Sequence, residues 1–119
     1  MINKRTEGKK AEDIVAEHLQ TLNYQIIEQN YTIRGGEIYI IAKQGEKIVF
    51  VEVKSLASER YIQLEESISQ KKRKALVKTC RIWLAHHKQQ HSDWRIDFVG
   101  IVIDNNRAKK IVHIEGAIW

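Results

Sequence analysis

Gly36-Glu37-Ile38-Tyr39-Ile40-Ile41-Ala42 and Val49-Phe50-Val51-Glu52-Val53-Lys54, with Gln44-Gly45-Glu46-Lys47 between them, decide the fold. Both runs are rich in β-branched and aromatic residues and a turn-prone segment divides them, so residues 37–43 and 48–54 are predicted to form a β-hairpin. Side chains alternate across a strand. Ile38 and Ile40 are thus expected on one face of the first strand, with Glu37 and Tyr39 on the other. In the second strand Val49, Val51 and Val53 oppose Glu52 and Lys54. A four-residue loop of 44–47 pairs 41 with 50, 39 with 52 and 37 with 54, and both apolar sets reach one core. A slip of one residue would mix the faces. Glu37, Tyr39, Glu52 and Lys54 are then expected as one polar cluster.

On either side of the hairpin the pattern stays regular. Ala11, Ile14, Val15, His18, Leu19 and Leu22 recur at helical spacing, which predicts a helix over about 7–22 with Thr6 as its N-cap and Asn23 as its stop. Tyr24 to Tyr31 is β-prone, and Gly35-Gly36 marks a turn. Residues 67–88 read as a second helix, with Ile68, Ala75, Leu76, Thr79, Ile82, Trp83 and His86 near one stripe. A strand follows over 94–103, then a turn at Asp104-Asn105-Asn106-Arg107 and a short strand over about 110–115. The order α-β-β-β-α-β-β predicts an α/β protein with a mixed sheet and helices packed on it.

At 119 residues, 43% of them hydrophobic, the chain can build one core, so a single domain over 1–119 is expected. Charge is uneven. Residues 1–66 hold nine Lys/Arg against eleven Asp/Glu, whereas 67–119 hold eleven against four. A basic half points to a polyanion, nucleic acid before an acidic membrane. One cysteine excludes an intrachain disulfide, and no apolar run approaches the roughly 18 residues a membrane span needs. A soluble, cytoplasmic protein without a membrane partner is the expectation.

The hairpin cluster has two readings. The plain one is an exposed face with Glu37 and Lys54 as a cross-strand charge pair. The other is a phosphodiesterase site, in which carboxylates on adjacent strands hold Mg²⁺ and a lysine offsets developing charge. Glu-x-Lys alone does not separate them.

The wording around the cluster adds a resemblance. The two quoted runs are similar to the central signature of the YraN-like family, bacterial proteins of largely uncharacterised role. Ala11-Glu12 with Leu19, Tyr24-Gln25-Ile26-Ile27 with Asn30, Ser67-Ile68 with Lys72, Arg95-Ile96-Asp97-Phe98-Val99 and Glu115-Gly116-Ala117-Ile118-Trp119 extend the likeness over nearly the whole chain. The resemblance implies a restriction-endonuclease-like fold related to Holliday-junction resolvases. It also implies a catalytic group of Glu12, an aspartate in the middle of the first hairpin strand, Glu52 and Lys54, with Mg²⁺ or Mn²⁺ on Glu52 and Glu12.

Here the aspartate position holds Tyr39, and a neutral phenol is a poor Mg²⁺ ligand. Ala11 and Val15 are milder departures, standing where the family usually has glycine and alanine. Tyr39 allows three accounts. Catalysis is lost while the binding surface remains; or Glu37, about 7 Å along the strand, or Glu12 supplies the missing carboxylate; or the residue is not the natural one.

Lys71-Lys72-Arg73-Lys74, then Lys78 and Arg81, put six cations into eleven residues of the second helix, with no acid between Ser67 and Ser92. Four consecutive residues surround a helix, so some must face the sheet. These residues are the expected nucleic-acid contacts. The apolar stripe of this helix is needed for the core, which argues against a membrane role. His86, His87 and His91 lack metal spacing, Cys80 reads as a core thiol, and Trp83, Trp94 and Trp119 read as packing residues. Asp97, polar in an apolar strand, is expected to pair with Arg95 or a backbone donor.

Two functions result. The first is a nucleic-acid-binding protein of nuclease fold with impaired catalysis. The second is an active Mg²⁺-dependent endonuclease or resolvase-like enzyme. The expected partner is DNA, branched or single-stranded, or RNA, and a homodimer would set two sites on one substrate.

Overall fold

The structure, a computed structural model, describes residues 4–56 and 68–118, with side chains from residue 10 onward. Its elements are α1 (Lys4–Thr21), β1 (Gln25–Ile33), β2 (Gly36–Gln44), β3 (Lys47–Leu56), α2 (Gln70–His86), β4 (Trp94–Asp104) and β5 (Arg107–Ile118). This is the order α-β-β-β-α-β-β and the mixed sheet flanked by helices that the resemblance to restriction-endonuclease-like proteins implies. Ser67 and Trp119 lie outside the described residues. The helix begins at Lys4, so Thr6 is inside its first turns rather than capping it. Asn23, at φ 67, ends it as expected.

The strands lie in the order β1-β2-β3-β4-β5. Every neighbouring pair is antiparallel except β3 and β4, which run parallel. A parallel pair needs a long crossover, and α2 lies within it. β3 is the middle strand, and residues 48–53 are buried on both faces. A strand covered on both sides reads as a near-continuous Val/Ile run.

The hairpin register is the predicted one as far as the ladder runs, with Ile41 opposite Phe50 and Ala42 opposite Val49, but the expected pairs 39–52 and 37–54 are not formed, because the ladder ends at Ile40–Val51. Its connection is shorter, because Gln44 pairs with Lys47 and only Gly45 and Glu46 turn. Gly45 takes the positive φ of 60° that this tight turn demands. The closing strand is longer than expected, since Asn105 and Asn106 at φ 50° and 65° make a two-residue turn and pairing resumes at Arg107.

Strict alternation fails in β2. Ile40 and Ala42 pack with Val49, Val51 and Val53 against Ala11, Val15 and Leu19 of α1. Ile38 instead packs with Ile41, Phe50 and Phe98 against Leu76, Cys80 and Trp83 of α2. Tyr39 joins the α1 side. The side-chain parity therefore changes between 38 and 41, where the β2–β3 ladder stops at Ile40–Val51. The expectation of Ile38 and Ile40 on one face is corrected accordingly.

Helix α2 covers the face that was expected to be open. It buries Leu76, Thr79, Cys80, Trp83 and Leu84, while His86 is exposed. Trp83 meets Phe50 edge-on, stacks on His87, and donates from Nε1 to Glu28 at 3.1 Å. Gly36 permits the close approach: a Cβ there would lie 1.9 Å from Thr79 Oγ1.

Asp97 is fully buried on β4 and accepts from Arg95 Nε at 2.9 Å and from the Gly116 amide at 2.9 Å, with His113 Nε2 at 2.8 Å. Arg95 also donates to Tyr24 and Gln44. Burial opposes the Asp97 charge, but the His113, Arg95 and Gly116 hydrogen bonds outweigh it and hold the carboxyl below its ordinary value of 3.8. A depressed carboxyl contributes stability above its unfolded pKa and loses it as pH falls through the folded one. Asp97→Asn should cost about 3 kcal/mol at neutral pH. The gap to the unaltered protein should narrow as pH falls below 3.8, as read by urea melts at several pH values.

Candidate active site

Glu52 is the chemical centre of the predicted cluster, and it is 4% exposed. β3 turns it away from the Val49–Val51–Val53 face and toward α2. The ammonium of Lys72 lies 3.5 Å from its Oε1. Ser69 caps α2, accepting from the Lys72 amide at 3.1 Å, and so fixes the phase that brings the half-exposed Lys72 to Glu52. Lys72 was expected as a nucleic-acid contact only; of the four consecutive cations it is the one in the site. Helix phase relative to the Ser69 cap was the available signal.

Two cavities meet at Glu52. One of about 240 Å³ is lined by Glu12, Tyr39, Glu52, Lys54, Ser55 and Lys72. The other, about 180 Å³, is lined by Gly36, Glu37, Tyr39, Glu52 and Lys72 among others. Tyr39, Glu52 and Lys72 are their common wall. All four members of the predicted polar cluster thus border the site, and Glu12 reaches it from α1. The plain reading of an exposed face is excluded for Glu52 and Tyr39. Glu37 is exposed and Lys54 half-buried.

Burial pushes the Glu52 carboxyl up from its ordinary 4.5, and the Lys72 ammonium only partly reverses this. The Tyr39 phenol is pushed up to about 12 by burial and then by the fields of Glu52, Glu37 and Glu12. It is neutral at physiological pH. Cys80 is fully buried, and burial together with Glu52 drives its thiol up, which makes it an inert core residue.

Tyr39 does not fit as a ligand for Mg²⁺ or Mn²⁺, which leaves Glu52 and Glu12 as the residues that would hold one. A hard cation wants anionic oxygens, but Tyr39 offers a protonated phenol and Glu52 already faces an ammonium. Among the described residues no group of three His, Cys, Asp or Glu side chains stands in metal-binding geometry.

The predicted basic residues spread around α2. Lys71, Lys74, Lys78 and Arg81 are exposed. Arg73 is half-buried and its Nε donates to the Ile68 carbonyl at 3.4 Å. No helix of the described residues is long and apolar enough to cross a membrane.

Fold and site together define an α/β protein whose central strand presents a buried carboxylate and a lysine beside a basic helix. The chain belongs to the uncharacterised protein family UPF0102, the YraN family, whose pattern matches residues 11–101. It is 35% identical over 106 residues to a UPF0102 protein of Carboxydothermus hydrogenoformans, covering 89% of this chain and 90% of that one. Identity is 39% over 111 residues with a UPF0102 protein of Persephonella marina, covering 93% and 91%. Among solved structures, it is similar to Pyrococcus furiosus SfsA in complex with Ca²⁺, at 15% identity and a TM-score of 0.42. That match covers 97% of this chain, which spans 64% of the SfsA chain.

Removing Lys72 leaves Glu52 buried without its cation. Lys72→Met should cost about 1–2 kcal/mol at neutral pH, a value discounted because the lysine is half in solvent. The sign with pH follows. A carboxyl whose folded pKa is raised favours the folded state as it takes up a proton, so the variant should regain stability on acidification toward 4.5. Thermal melts between neutral pH and pH 5 should show a smaller gap at the acid end; a constant gap would remove the Glu52–Lys72 coupling.

Proposed function

We propose that this protein binds nucleic acid through the solvent face of α2, on a restriction-endonuclease-like scaffold whose hydrolytic site is impaired by Tyr39. The observation that carries the reading is the Lys72–Glu52 pair beside a neutral tyrosine. In that arrangement a lysine of the chain itself faces the carboxylate expected to hold the metal. Lys71, Lys74, Lys78 and Arg81 are available for phosphates, with no carboxylate on the same helix. The partner is DNA, branched or single-stranded, or RNA, met in the cytoplasm. Phosphate contacts position a protein without reading sequence, so affinity is indifferent to base order.

Lys71, Lys74 and Lys78 changed together to Ala leave the Glu52 partner in place. Binding should weaken, and the slope of log affinity against log salt should flatten by about 2–3 units. Fluorescence anisotropy on a labelled oligonucleotide across a salt series measures both. Unchanged affinity and slope would sink the reading.

Tyr39 supplies a second test. A carboxylate there would line the same two cavities as Glu52, and the added negative charge favours a bound cation. Tyr39→Asp should confer a Mn²⁺-dependent rise in Tm that the unaltered protein lacks.

The alternative, an active enzyme in which Glu37 or Glu12 supplies the carboxylate, draws on the fact that both fields reach Tyr39. It requires Mg²⁺-dependent cleavage by the unaltered chain that Glu37→Gln or Glu12→Gln abolishes.

A further inference from the structure

Replacing an aspartate by a tyrosine removes a ligand, but it also adds a hydroxyl that can attack phosphorus. Tyr39 is a wall of both cavities, so a phosphodiester entering either one meets its ring. The three carboxylates that influence the phenol act on it through space. Glu12 and Glu52, which can accept a proton, line the same cavity as Tyr39. Lys72 and Lys54 border the same 240 Å³ space and offer two ammonium groups. A nucleophile, a base and cations in one cleft are the parts that covalent catalysis requires.

We propose that Tyr39 is a nucleophile that breaks a nucleic-acid strand by forming a phosphotyrosyl link, without a metal ion. The proposal rests on the nucleic-acid reading above and goes beyond it in assigning a reaction.

The step balances as follows. Tyr39 Oη forms a bond to phosphorus while one of the two bridging P–O bonds of the strand breaks. The phenol proton passes to the Glu52 carboxylate. That carboxylate becomes neutral and releases the charge of Lys72 toward the oxygens of the pentacoordinate phosphorus. The departing strand oxygen takes its proton from the Lys54 ammonium and leaves as a hydroxyl. One phosphodiester has been exchanged for another, so ester energy is conserved and the free hydroxyl can reverse the step. The activity is thus breakage and rejoining, which differs from hydrolysis. Hydrogen-bond reach between Tyr39 and Glu52 is needed only once substrate is bound, since such contacts are often looser without it.

The reaction separates Tyr39 from a mere filler of space, for which Phe would serve equally. The full chain is incubated in EDTA with single-stranded and branched DNA oligonucleotides labelled at either end, then quenched with SDS. A labelled band at the mass of chain plus DNA is expected, and mass spectrometry of the digest should place the link on Tyr39. Which end label stays with the band identifies the bond that broke. Tyr39→Phe should lose the band altogether. Lys54→Ala should lose it on ordinary DNA and recover it on DNA carrying a bridging sulfur as leaving atom, because a thiolate departs without a proton.

Binding by the unaltered chain with no SDS-stable band, even on the sulfur-bridged oligonucleotide, overturns the nucleophile and leaves the binding reading standing. A band that survives Tyr39→Phe also overturns it. Failure to bind any of the oligonucleotides overturns both.

Discussion

A carboxylate buried in the middle strand of the sheet is the constraint on which the rest of this molecule depends. Ionised Glu52 in that position is costly unless a cation meets it. The cation comes from α2, so the helix must lie close and in one rotational phase. Several contacts fix it there: the Ser69 cap, the missing Cβ of Gly36 beneath Thr79, and the Trp83–Glu28 hydrogen bond at the β1 edge. The basic helix is therefore part of the site's architecture. Moving it would strip Glu52 of its partner and open the core at Leu76 and Trp83 together.

Two buried acids on neighbouring strands show what partners decide. Asp97 pairs with Val51 across the β3–β4 ladder, and Glu52 with Phe98 one residue further on. They therefore point to opposite faces of the sheet. Asp97 has an arginine, a histidine and a backbone amide, and its carboxyl is held down. Glu52 has one half-exposed lysine, and its carboxyl is pushed up. Burial is similar, yet the shifts are opposite because the number of donors differs. A fully satisfied acid is a clamp: Asp97 holds the β5 bulge at Gly116, where the register jumps between Phe98–Ile114 and Ile96–Ile118. A partly satisfied acid bordering a cavity keeps a raised pKa and is open to a ligand.

The hairpin register was legible because two apolar sets could share a core in only one alignment. The role of Asp97 was legible too, since a lone acid among Ile, Phe and Val must find donors nearby. The parity change at Tyr39 was not. Alternation is a property of regular strands, and nothing in Ile38-Tyr39-Ile40-Ile41 marks where the ladder ends. Lys72 was hidden for another reason. In Lys71-Lys72-Arg73-Lys74 the side chains are chemically alike, and only the helix phase set by the cap selects the one that reaches Glu52. The covered second face followed from α2, whose stripe was visible without the sheet face it would occupy.

Tyr39 and Lys72 are better understood together than apart. A second carboxylate in place of Tyr39 would put two anions against one ammonium, and the imbalance would call for a divalent ion. With a phenol there, Glu52 has the Lys72 ammonium as its nearest counter-charge. The phenol also stays protonated, because burial and then the fields of Glu52, Glu37 and Glu12 disfavour a phenolate. Glu52 and Lys72 form a pair whose cation is covalently part of the chain. The chemistry open to such a pocket rests on its hydroxyl, its two lysines and its two acids, Glu12 and Glu52.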